Sequence, residues 1–337
     1  MKKIILSLIA ILLILLQTNA TSNSIEVLPT MQSKTAAQDR VWVGTFQIVW
    51  NDFMDKFVHS EVKFPGGTPA SVNELNAQEF TVEELSEKCY YRYVGKVTKN
   101  TKKNIVKAIK NKFHENSDLL NKMDLKPNGD RYIVYAMLKK DFQFINAFDK
   151  LGTSQFRDKK AEFFGINNRS ANELDMGVKV LFYNGPSDFA VVLDTKDKDE
   201  VYLYKTPTSK PFNYIYSDML KKQEAYKGER NFGEDDLLKV PNLKFFEEKS
   251  FDEVCGKRVK GTNLVIDSAL ETVKFEMNNT GVKLKSEAAM SIMKMSLAPS
   301  AEPRLFYFND TFVLFLKEKG KNKPYFALRV HDISKFQ

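Results

Sequence analysis

Little in this sequence supports catalytic chemistry. Its 337 residues hold three histidines, His59, His114 and His331, far apart and in no metal-ligand spacing. There is no His-Glu-x-x-His, Gly-x-Ser-x-Gly, Walker loop or Cys-x-x-Cys, so the local signatures of zinc, serine-nucleophile, nucleotide and dithiol chemistry are missing. Neighbouring carboxylates such as Glu83-Glu84 and Asp235-Asp236 read as helix-start or surface charges. The expectation is a non-enzyme without cofactor or metal. Cysteine is as scarce. Cys89 and Cys255 permit one disulfide at most, and Cys89 sits among Tyr90, Tyr91 and Tyr93 as a small buried residue would. No long period recurs, which excludes a repeat architecture. No stretch after residue 16 has the roughly 20 apolar residues that span a bilayer.

What is present points to an exported, folded protein. Hydrophobic residues make up 43% of the chain and aromatics 12%, enough for a sizeable core rather than a disordered coil. Lys2-Lys3, the apolar run Ile4 to Leu16 and Thr18-Asn-Ala20 have the three-part order of a signal peptide over residues 1–20. The mature chain is then secreted or extracytoplasmic, with no stable membrane span. Losing Lys2 and Lys3 lowers the net charge from +8 to about +6. Much of the excess lies between Lys96 and His114, where seven lysines meet no acid. Thr101 can cap a helix there, with Ile105, Ala108, Ile109 and Phe113 inward and Lys102, Lys103, Lys107 and Lys110 outward. Such a face suits a sulfated glycan or an acidic surface, or is simply solvated. Nucleic acid is not expected, since no binding motif accompanies the charge.

In chain order, residues 21–39 are polar and read as a flexible mature N-terminus. Trp42, Phe46, Val49, Phe53 and Phe57 recur at helical spacing and form one amphipathic face, ended by Phe64-Pro-Gly-Gly. Thr81-Val-Glu-Glu84 matches a capping box opening a helix that carries Leu85 and Cys89. Val178–Tyr183, Phe189–Leu193 and Val201–Tyr204, separated by turn residues, read as a strand meander, and Tyr214–Tyr226 as a short helix. Helices early and strands late give an α+β class.

The C-terminal strip is the most structured in pattern. Val273, Phe275 and Met277 alternate with Lys274 and Glu276; after Asn278-Asn-Thr-Gly281 the alternation resumes with Val282, Leu284, Ser286 and Ala288 on one face. This is a hairpin signal. A run from Met290 to Pro303 loses the pattern, and strands return at Arg304–Phe308, Phe312–Leu316 and Tyr325–Val330.

In this order the pieces resemble the carboxyl end of a serpin. Lys274-Phe-Glu-Met-Asn-Asn-Thr-Gly281 is similar to the strand and hinge before a reactive loop, and Glu287-Ala-Ala289 to the Ala-rich proximal hinge. Phe308–Leu316 and Pro324–Val330 resemble the closing strand pair, and Val240-Pro-Asn-Leu-Lys-Phe245 the family's Val-Pro strand opening. The resemblance covers about the last 75 residues best; no segment of the first 130 matches the family's opening helices. It implies one serpin-like α+β domain over 40–337, with N-terminal helices on antiparallel and mixed sheets and an exposed loop near the C-terminus. Residues 131–151 read either way, Tyr132–Leu138 as a buried strand and Lys139 to Leu151 as a helix with Phe144, Phe148 and Leu151 inward; the resemblance implies the strand reading. It further implies an inhibitor of serine or cysteine endopeptidases acting through a loop at about 290–303. The hinge would be Gly281, Val282, Leu284, Ser286, Glu287, Ala288 and Ala289, and the scissile region Lys294, Met295 and Ser296. Lys283, Lys285 and bulky Leu284 depart from the small hinge residues of inhibitory members, so a non-inhibitory relative is the alternative. A secreted module binding glycan or protein is the reading from another class.

Overall fold

The computed structural model of the protein describes residues 24–127, 131–167, 177–282 and 303–337. The largest layer is a seven-stranded sheet in the order β1 (Glu26–Leu28), β2 (Arg40–Val43), β17 (Phe326–Val330), β16 (Phe312–Glu318), β10 (Asp199–Lys205), β9 (Phe189–Asp194) and β8 (Val178–Tyr183). Strands β9 and β16 are buried along their whole length. Their continuous apolar runs therefore serve two packed faces, and neither alternates. The expected meander is β8, β9 and β10, paired antiparallel in sequence order.

Three smaller sheets complete the molecule. One runs β15 (Leu305–Tyr307), β11 (Leu237–Pro241), β7 (Lys159–Ile166) and β6 (Asp149–Phe156). Another runs β12 (Leu243–Ser250), β13 (Leu270–Asn278), β14 (Gly281–Val282) and β5 (Phe142–Gln143). The last is the pair β3 (Tyr90–Lys96) and β4 (Tyr132–Leu138). Within residues 131–151 the strand reading holds for Tyr132–Leu138, for Phe142–Gln143 and from Asp149 on; none of the stretch is helical, and Phe144 and Phe148 are buried in the connection between β5 and β6. The main core fills the space between the large sheet and β12–β13, where Phe275 stacks on Phe326 at 4.8 Å.

Among the described residues the α-helices are α1 (Gly44–Phe53), α2 (Ala70–Asn76), α3 (Thr101–Phe113) and α4 (Phe212–Ala225). None of the described residues forms a helix long and apolar enough to cross a membrane. Helix α1 runs on into a π-helical turn, Met54–Val58, that ends at His59 in the left-handed region. The expected face is corrected at one end: Trp42 belongs to β2, where it pairs with Ala327. Phe46, Trp50 and Met54 form a buried stripe along the helix, with Phe53 and Phe57 half-buried.

Three further expectations give way to tertiary packing. Residues 24–39 are not loose: β1 pairs parallel with β2, and Ile25, Val27 and Met31 join the core. The sequence Thr81 to Glu84 forms one 3-10 turn without a side-chain cap, and a second turn, Glu87–Cys89, leads straight into β3. A short capping motif cannot sustain a helix when the next residues are recruited to a sheet. In α3, Asn100 occupies the cap position and Thr101 the first helical turn, where its hydroxyl accepts from the Thr98 amide at 2.9 Å.

Candidate functional site

The hairpin expected after β13 forms, and it does more than turn. In β14, Val282 pairs with Met277 of β13 on one side and with Phe142 of β5 on the other. Being antiparallel to both, β14 obliges β13 and β5 to run parallel. Gly281 makes the close approach possible. Its φ is 156°, and a Cβ there would lie 2.3 Å from the Phe142 carbonyl oxygen and 2.8 Å from Gln143 Cα. Only a residue without Cβ fits between these backbones.

Beyond this two-residue wedge the sheet is split. Strand β4 pairs with β3, and β13 with β12; among the described residues neither is paired to the other across the space between them. A cavity of about 760 Å³ occupies that space. Its walls are β4 and β13, its floor is α1 through Phe46, Trp50 and Phe53, and residues 115–125 border it. Two strand edges facing one gap present two rows of backbone donors and acceptors, a template for one more strand.

Glu271 sits where the wall meets the floor. It continues the buried parity of Val273, Phe275 and Met277, and only 4% of it is exposed. Its Oε1 accepts from the Thr45 hydroxyl at 2.8 Å, while Oε2 is buried without a partner among the described residues. Burial pushes its pKa up to about 8, against the pull of the Thr45 hydroxyl and the Phe46 amide.

A charged cluster stands at the end of the gap nearest β14. Asp199 and Glu318 are directly opposite on β10 and β16, and the Lys140 ammonium lies between them, 2.8 Å from Asp199 and in contact with Glu318. The Tyr325 hydroxyl donates to Asp199 at 2.8 Å, and the Ser86 amide to Glu318 at 3.0 Å. Burial opposes ionisation of Glu318, yet Lys140 and Ser86 hold it down at about 2. Cys89 packs beside this group, and burial pushes its thiol up to about 11, which removes it as a nucleophile at neutral pH. Cys89 and Cys255 are both free.

Of the site residues expected from sequence, Gly281 and Val282 form β14. Leu284, Ser286, Glu287, Ala288, Ala289, Lys294, Met295 and Ser296 lie outside the described residues, as does the segment 1–20. Lys102, Lys103, Lys107 and Lys110 are exposed on α3, opposite the buried Ile105, Ile109 and Phe113. Among the described residues no three His, Cys, Asp or Glu side chains are grouped to hold a metal. Sequence reasoning missed Glu271, although extending the β13 alternation one step back from Val273 places a carboxylate in the buried series. It missed the Lys140 cluster because its members come from four distant stretches of the chain, 86–89, 140, 199 and 318–325.

No protein-family model and no curated protein sequence matches the chain. Solved structures do. Serpin48, a highly specific serpin of the insect Tenebrio molitor, is similar over 90% of this chain and 94% of its own, with a TM-score of 0.52 and 11% identity. Human glycosylated kallistatin is similar over 88% and 92%, at 0.47 and 10%. Human thyroxine-binding globulin with its thyroxine is similar over 85% and 97%, at 0.43 and 11%. The expected architecture and the likeness to Serpin48 agree: the chain has a serpin-like fold.

Proposed function

We propose that this is an exported, non-catalytic serpin-type protein that inhibits a serine or cysteine endopeptidase through residues at about 290–303. The observation that supports this reading most is the gap between β4 and β13, headed by a β14 already paired on both sides. Cleavage in 290–303 frees the arm that follows Val282. In the register set by Met277 and Val282, the arm extends down the gap. Leu284 then lies opposite Phe275, Ser286 opposite Val273 and Ala288 opposite Glu271. Alternate residues of that arm are apolar or small, as one buried face requires. A protease held as an acyl-enzyme at Lys294, Met295 or Ser296 would travel with the arm. Lys294 suits a trypsin-like enzyme and Met295 a chymotrypsin- or elastase-like one.

The test is incubation of the mature protein with trypsin, chymotrypsin and elastase, followed by denaturing gels and a melt. A complex that survives denaturant is expected, together with a rise in Tm of the cleaved protein of at least about 10 °C. That figure assumes about seven new backbone hydrogen bonds at about 1 kcal/mol each and about 2 °C per kcal/mol. Gly281→Ala, which cannot seat β14 without moving β5, is expected to shift the outcome from complex to plain cleavage. A rise in Tm without any complex assigns the alternative, a non-inhibitory serpin-like protein, for which the Lys283 and Lys285 hinge speaks. Cleavage with neither result overturns both.

The exposed lysines of α3 support a second contact, to a sulfated glycan. Paired Lys102→Glu and Lys107→Glu changes are expected to lower the salt needed for elution from a sulfated resin. Unchanged elution would leave α3 as a solvated face.

A further inference from the structure

The floor helix α1 begins without a cap of its own. Val43 stands at its N-cap and has no side-chain acceptor for the first free amides. Support comes instead from the wall of the gap: Glu271 on β13 takes the Thr45 hydroxyl at 2.8 Å, and the Phe46 amide lies near enough to favour its anion. One carboxyl thus ties β13 to the start of α1, while its other oxygen, Oε2, is buried with no partner among the described residues.

The charges around it are engaged elsewhere or stand off. Lys249 is directly opposite Glu271 on β12 and makes no ion pair with it among the described residues. Lys140, beyond the end of β4, is held by Asp199 and Glu318. Asp52, further along α1, is paired with Arg92 of β3 at 2.8 Å. A proton on Glu271 leaves a neutral group in an apolar seam. Loss of the proton leaves a buried anion that Thr45 and one amide solvate only in part, and the seam must open to let water complete the shell.

We propose that Glu271 is a proton-controlled pin that keeps α1 closed against β13 when protonated and lets this seam open when ionised. The device belongs to the uncleaved chain, and it stands whether or not any protease is inhibited. Burial sets the changeover at about 8, close to neutrality. The pinned state, in which the Glu271 pKa is raised, is favoured fully below the ordinary glutamate range. It loses that advantage progressively as pH rises to about 8 and is level above.

Hydrogen exchange of the whole protein, corrected for the intrinsic rate at each pH, reads this out. Protection of the first turns of α1 and of β13 is expected to fall by up to about tenfold per pH unit between about pH 5 and 8. Strand β9, buried along its length in the large sheet, is the internal control and should not change. In Glu271→Gln the fall should vanish. In Thr45→Val, which removes a donor to the anion and leaves the carboxyl in place, the plateau should move to higher pH. A pH-independent α1 in the native protein overturns the proposal, as does the same fall persisting in Glu271→Gln or an unmoved plateau in Thr45→Val.

Discussion

Lys140→Met is expected to destabilise the protein by about 3–5 kcal/mol, the usual cost of leaving buried charge without its partner. The reason lies in the strand register. Asp199 and Glu318 face each other directly across β10 and β16, and both are nearly inaccessible, at 6% and 2% exposure. Like charges directly opposite on neighbouring strands repel, and here water cannot screen them. The Lys140 ammonium lies between the two carboxylates and 4.7 Å over the Tyr325 ring. Removing it leaves Tyr325 and Ser86 as donors and no positive charge. Urea titration of the native protein and the variant measures the loss. Adding Glu318→Gln to the variant should restore a large part of it by abolishing the repulsion. A loss below about 1 kcal/mol, the range of exposed pairs, would mean that the cluster contributes little despite its burial.

The cluster also explains where the sequence could be read and where it could not. The β13–β14 hairpin was legible because the information is local: alternation across Val273, Phe275 and Met277, then Asn-Asn-Thr-Gly, then Val282. The meander β8–β9–β10 was legible for the same reason. Trp42 was assigned to the α1 face because its spacing from Phe46 fits a helix, yet β17 recruits it as a strand residue. Thr81 to Glu84 has the composition of a cap, but its neighbours Leu85 and Cys89 are drawn into the core and cut the helix to single turns. In both places tertiary pairing overrode a local preference worth about 1 kcal/mol or less.

The gap was less legible still. Its walls, β4 and β13, are separated by more than a hundred residues, and its floor comes from the region where no resemblance was found. The arrangement is defined by a pairing that is missing, between Tyr132–Leu138 and Leu270–Glu276. A missing pairing leaves no pattern in a chain whose strands are each well formed. What the residues did carry was Gly281, whose lack of a Cβ lets the wedge pass between Asn278 and Gln143.

Glu271→Gln is expected to make the protein more stable at pH 8 by about 2–5 kcal/mol and to change little near pH 4.5. The upper figure is the full conversion of a shift from 4.5 to about 8 at about 1.4 kcal/mol per unit; the lower allows for relaxation and water penetration around the ionised group. A carboxyl whose folded-state value is raised stabilises the fold fully below its unfolded value. That contribution drains away as pH rises through the folded value. Between about 4.5 and 8 the native protein should therefore lose stability with a slope that approaches about 1.4 kcal/mol per pH unit from this group. Glutamine keeps an oxygen that accepts from Thr45 and has no proton to lose, so the difference between the two proteins should widen with pH and level off near 8. Melts or urea titrations at intervals from pH 4 to 9 give that difference directly, and taking it cancels the many carboxylates common to both chains. A constant offset would mean that Glu271 is neutral or ionised throughout. A difference of the opposite sign would mean that the anion at the start of α1 is stabilised by the helix more than burial penalises it. The predicted sign follows because no cation pairs with Glu271 among the described residues and its Oε2 has no donor. One hydroxyl donor and a nearby amide cannot replace the hydration that a carboxylate gives up.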